Sequence, residues 1–148
     1  VANVTEDDVM AAVKVAWDAS PLGTGAPALA LGGLWHARAP ESTLTVGAYG
    51  VMTCRTAGYE WVSSKTTMRD FELSVEVRSK ATPTDIDALR TALANLLDRG
   101  ALTVAGADKV LWCAPADGER SVEDEYSDGQ DVQLAAGRWD VRVQYTRP

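Results

Sequence analysis

The chain has 148 residues, 46% of them hydrophobic and 24% charged. That is ordinary globular composition, enough for one domain over residues 1–148 with a sizeable core. The formal net charge of −7 argues against a dedicated nucleic-acid binder, which needs basic side chains to displace counterions from phosphates, and against adhesion to an anionic membrane.

The longest weakly apolar stretch, Ala26 to Trp35, contains Pro27 and two adjacent glycines. It is about half the roughly twenty residues that a membrane-spanning helix needs. The opening, Val1 to Asp8, is acidic where an export signal would be basic. Neither a span nor an export signal is therefore expected.

A first helix is predicted over Glu6 to Asp18. Thr5 is its N-cap, Asp8 the capping-box partner, and Glu6, Asp7 and Asp8 favour the positive end of the helix dipole. Val9, Ala12, Val13, Ala16 and Trp17 recur at the spacing of one buried stripe. Ser20-Pro21 and Gly23 end it, and 21–33 reads as a flexible loop. Strands are predicted at Leu34–Arg38 and Tyr49–Thr56. A hairpin-like extension follows over 57–67, read as a second flexible loop carrying Tyr59, Trp61 and Lys65.

Phe71, Leu73, Val75 and Val77 then alternate with Glu72, Ser74, Glu76 and Arg78, the pattern of a half-buried strand. Thr82-Pro83-Thr84-Asp85 opens a second helix, 83–98, with Ile86, Leu89, Leu93, Leu96 and Leu97 as its apolar face and Gly100 as its cap. Further strands are predicted at Lys109–Ala114 and Arg120–Tyr126. Asp128-Gly129 reads as a tight turn, and Trp139, Val141, Val143 and Tyr145 form a last alternating strand. Two helices among about five to six strands do not suit alternating βαβ winding. The expected class is α+β, an antiparallel sheet with both helices on one face and a largely polar opposite face.

Few residues offer chemistry. Gly23, Gly25, Gly32 and Gly33 lack the register of a phosphate loop. His36 is the only histidine, and nothing resembling a nucleophile elbow accompanies Ser42 or Ser63. Ser63, Ser64 and Lys65 read as polar loop residues. Cys54 and Cys113 lie in strand-like runs and read as buried free thiols, with a disulfide or a metal role as alternatives. The acids Glu119, Glu123, Asp124, Glu125, Asp128 and Asp131 miss the spacing of a calcium loop and read as a solvated or interfacial face. Of the five tryptophans, Trp17, Trp112 and Trp139 are expected in the core. Trp35 and Trp61, beside loops, are interface candidates. No catalytic set and no cofactor site emerge, so an enzyme is not expected.

The order and pattern of these segments resemble the tail terminator (tail completion, head–tail joining) proteins of tailed bacteriophages. The likeness rests on Phe71-Glu-Leu-Ser-Val-Glu-Val-Arg78, the helix with Ala88-Leu89 and Ala92-Leu93, Ala101-Leu-Thr-Val-Ala-Gly106, Asp128-Gly-Gln-Asp-Val132 and Arg138-Trp-Asp-Val-Arg-Val143. The resemblance implies a structural virion protein of the tail or neck, assembled in the host cytoplasm. It implies a homohexameric ring that meets the tail tube protein and the head connector or stopper, with DNA passing through unread. On that view Trp35, His36, Tyr59, Trp61 and Lys65 are interface candidates. Glu123, Asp124, Glu125, Asp128 and Asp131 are candidates for lining the channel, where negative charge repels phosphate. The alternatives are another neck protein, a stopper or connector adaptor, or a small α+β ligand- or peptide-binding domain.

Overall fold

The computed structural model describes residues 3–23, 33–37, 49–79, 91–98, 102–115, 123–126 and 133–146, with the backbone path alone for 79, 123–126 and 133–136. Helix α1 (Glu6–Ala19) begins as its sequence requires. Thr5 N–H donates to Asp8 Oδ2 at 2.8 Å and Asp8 N–H to Thr5 Oγ1 at 3.4 Å, closing the capping box. The helix stops at Ser20, whose N–H and hydroxyl both donate to the Trp17 carbonyl, at 3.1 and 2.7 Å. Gly23 then folds against the helix end. A Cβ there would lie 2.6 Å from Asp18 Cα, so the turn needs glycine.

The strands are β1 (Leu34–His36), β2 (Tyr49–Trp61), β3 (Thr66–Ser79), β4 (Lys109–Pro115), β5 (Glu123–Tyr126) and β6 (Gln133–Thr146). Residues 91–97, between β3 and β4, are helical and are called α2. The chain order of helix, three strands, helix, three strands is the predicted one. The sheet runs β1-β2-β3-β6-β4, with β5 beside β4 on the same edge of β6. The class is α+β, with helices packed on the sheet. Four of the five pairings are antiparallel, and β1 pairs with β2 in parallel. A parallel pair needs a connection of about a dozen residues, and that length separates His36 from Tyr49.

The core lies on one sheet face. Phe71, Leu73, Val75 and Val77 of β3 and Trp139, Val141, Val143 and Tyr145 of β6 meet Val9, Val13 and Trp17 of α1 and Leu93 and Leu97 of α2. Both alternating stripes thus point inward as predicted, and the register sets Leu73 opposite Trp139 and Phe71 opposite Val141. Trp139 Nε1 donates to Asp98 Oδ1 at 2.7 Å, tying the end of α2 to the sheet. At Gly50 the backbone passes under Trp17. A Cβ would meet Trp17 Cη2 at 2.7 Å and Leu34 Cδ1 at 2.9 Å.

Two β-bulges separate the observed strands from the expected ones. In β2 the register shifts between Thr56 and Gly58. Pairing then continues to Trp61 and resumes at Thr66, so the extension over 57–67 is a ribbon whose turn occupies only 62–65. Strict alternation fails at the bulge, which is why this stretch reads as a loop in sequence. In β4 the shift between Val110 and Trp112 corrects a second expectation. It moves Trp112 out of the core onto the opposite face, where it is 47% exposed. Cys113 is buried, Cys54 half-buried, and both are free thiols. Burial pushes each up to about 12. The loop 24–32, the helix start at 83–90, the Asp128-Gly129 turn and Asp131 lie outside the described residues.

Candidate functional site

The end of the β2–β3 ribbon gathers three of the six large apolar side chains that are exposed among the described residues. Tyr59 is 57% exposed, Trp61 68% and Val62 54%. The bulge puts Tyr59 and Trp61 in phase with Arg69 and Thr67 of β3, on the helix side of the sheet. The turn is built by Ser63, whose Oγ accepts from Lys65 N–H at 3.3 Å and Thr66 N–H at 3.0 Å. Lys65 is exposed at its tip.

Arg69 anchors this ribbon and is 8% exposed. Its guanidinium lies between the rings of Tyr59 and Phe71, 4.9 and 4.8 Å from their centroids. It donates to the Val4 carbonyl, to Glu6 Oε1 at 2.9 Å and, through Nε, to Thr56 Oγ1 at 3.0 Å. Thr56 in turn donates to Glu6. That hydrogen bond, with the Arg69 charge behind it, holds the Glu6 carboxyl below its ordinary value. One residue of the ribbon therefore clasps the start of α1. The sequence signal for it is a charged residue two places before Phe71, in line with an otherwise apolar stripe.

The opposite face is a charged ladder. Arg55 grips Glu72 through two hydrogen bonds, at 3.2 and 2.8 Å, and lowers the Glu72 carboxyl. Arg142 grips Asp70 at 2.6 and 2.8 Å, reaches Glu60 at 3.4 Å, and lies 4.8 Å from the Trp112 ring centroid. The Asp70–Arg142–Trp112 group joins three strands, and only the bulge in β4 brings it together.

The five interface candidates do not form one patch. Tyr59, Trp61 and Lys65 share the ribbon end. Trp35 and His36 stand opposite Val51 and Met52, roughly 30 Å back along β2 at about 3.3 Å per residue. As neighbours on a strand those two also face opposite sides. The same distance keeps His36 away from Ser63. Glu123, Asp124 and Glu125 lie on β5, registered against Ala136, Ala135 and Leu134 of β6. Among the described residues no group of His, Cys, Asp and Glu converges as a metal site requires, and no helix is long and apolar enough to cross a membrane.

Against solved structures, the chain is similar to one in the virion of a native gene transfer agent (GTA) particle. The TM-score is 0.67 at 14% identity, over 92% of this chain and 94% of that one. The fold is shared. A second solved structure is similar with a TM-score of 0.56 at 12% identity, over 97% of this chain and 98% of the other. No family model and no curated protein matches the sequence.

Proposed function

We propose that the chain is a structural protein of a phage-like particle. Copies form a ring at the head-proximal end of the tail, end growth of the tail tube and join the tail to the head connector. The observation that carries this reading is the likeness, over nearly the whole of both chains, to a component of the gene transfer agent virion. The surface agrees with it. A ring subunit needs two unlike lateral surfaces that meet at a closing rotation, and this sheet presents an exposed aromatic ribbon on one side and Trp112 on the other.

The chain acts by contact and turns over no substrate. Its partners are further copies of itself, six to a ring, the tube protein below and the connector above. DNA passes through without being read. The acids Glu123, Asp124, Glu125, Asp128 and Asp131 are assigned to the lumen, where their charge keeps phosphates from adhering.

The test adds purified chain to polymerising tail-tube subunits, with negative-stain electron microscopy as the readout. Tubes of limited length capped at one end by a ring are expected. Tubes that lengthen uncapped refute the reading, and rings that bind the connector but ignore tubes make the chain a stopper or adaptor.

A further inference from the structure

Among the described residues the sheet has two uncovered edges, and they match. Gly50 N–H donates to the Gly33 carbonyl at 2.8 Å, and the Met52 carbonyl accepts from Ala37 N–H at 2.9 Å. Even-numbered residues in this half of β2 therefore direct their backbone groups away from β3. By the same alternation Cys54 and Thr56 do so too. No described strand meets them, because β1 ends at His36 and Ala37, at φ 63°, leaves the extended conformation. On the far side, β4 pairs with β6 alone.

The register runs straight across from one edge to the other. Glu60, Met68, Gln144 and Lys109 form one row; Gly58, Asp70, Arg142 and Trp112 form another; Cys54, Leu73, Trp139 and Pro115 form the last. Residues 54–60 of β2 and the whole of β4 thus span the same six rows, each with one bulge. Three antiparallel pairings separate β2 from β4, so the two run antiparallel to each other.

We propose that β4 of one copy pairs antiparallel with residues 54–60 of β2 in the next, so that the sheet continues from subunit to subunit around the ring. The joint rests on the ring reading above and names the surfaces that make it. Placed row for row, Lys109 of one copy comes beside Glu60 of the next, and Trp112 beside Gly58. The charges are opposite, and the Glu60 side chain is 60% exposed. A Cβ on Gly58 would meet nothing within 4 Å. That open slot suits a large neighbouring indole, and an aromatic side chain covering an edge glycine is a recurring device in sheets. All four side-chain positions are on the face away from the helices, so every side chain keeps its face. Pro115, which has no N–H to offer, ends the match at the Cys54 row, two residues short of Met52, where β1 begins to cover β2. The bulges discourage pairing with an arbitrary flat strand, and a partner of equal length with its own bulge is the exception. The contact joins unlike edges, which is the kind that closes into a ring.

The test is covalent capture in the full-length chain. Within one subunit Glu60 and Lys109 are three strand spacings apart, roughly 14 Å, so a disulfide between cysteines at these positions has to join two copies. The Glu60→Cys/Lys109→Cys variant, mildly oxidised, is expected to give a ladder beyond the dimer on a non-reducing gel, well above the wild-type baseline and absent from either single variant. Trp112→Ala should weaken assembly about tenfold or more by light scattering, with an unchanged circular dichroism spectrum. Assemblies of several subunits that yield no ladder overturn the joint and leave the ring reading standing. Capture that stops at dimers overturns the joint in favour of a two-fold contact. A chain that stays monomeric at every concentration, with tail tubes present as well, overturns both.

Discussion

Replacing Arg69 with methionine tests the clasp between α1 and the β2–β3 ribbon. The substitution keeps an unbranched apolar stem between the Tyr59 and Phe71 rings and removes every donor. The Val4 carbonyl then loses its guanidinium partner next to a fully buried side chain, at a cost of about 1–3 kcal/mol. The Glu6 ion pair adds little, because the Glu6 side chain is 36% exposed and solvent screens it to about 1 kcal/mol or less. Part of the ring–cation attraction, about 0.5–1 kcal/mol for each ring, is recovered by the thioether. The sum is a loss of about 2–4 kcal/mol in a urea titration. At about 2–4 °C per kcal/mol for a chain of this size, the melting point falls by roughly 5–15 °C. Arg55→Met removes an equally well-formed grip on Glu72, but from a side chain 71% exposed, and should leave stability unchanged within error. If Arg69→Met were as silent as Arg55→Met, the clasp would contribute nothing and the account of the ribbon's anchorage would be wrong.

Gly50→Ala should destabilise the chain by about 1–3 kcal/mol through overpacking beneath Trp17, and denaturant melts combined with Trp17→Phe should recover part of the loss. The lowered Glu6 carboxyl contributes stability above its ordinary value of 4.5, lost as pH falls through the depressed native value. Glu6→Gln should therefore cost stability at pH 7, and the gap between variant and wild type should close in melts taken well below pH 4. Neutralising Asp124, Glu125 and Asp128 together should leave particles assembled but change the rate of DNA ejection, measured by dye release. Failure to assemble would instead place those acids at subunit contacts.

Where one rule governs a whole element, the sequence is a good guide. Thr5 and Asp8 announce the start of α1 because a capping box is local chemistry between neighbours. The stripes at 71–77 and 139–145 announce their strands because burial of one face imposes a period of two. The reading breaks where that period slips. Ala57 and Leu111 each add a residue to one strand without adding one to its partner. Everything beyond the slip then changes face relative to a simple count, which turns a paired ribbon into an apparent loop and Trp112 into an apparent core residue. The parallel pairing of β1 has no local signature, since strand direction is decided by the length of the connection. The two halves of the Asp70–Arg142 pair are 72 positions apart, and no spacing rule links them.

Strand β6 has a temporal consequence. It is the last strand in chain order, yet it alone bridges β3 to β4 and β5. On the ribosome, β2 and β3 can close as a hairpin early, but the inner edge of β3 has no neighbour until the final strand emerges. The nascent chain therefore carries a fourteen-residue strand with an apolar stripe, unpaired on its inner edge, while residues 80–132 are made, a stretch at which chaperones or premature association with a sister chain can act. The sheet closes when β6 inserts between β3, made long before it, and β4 and β5, made just before it.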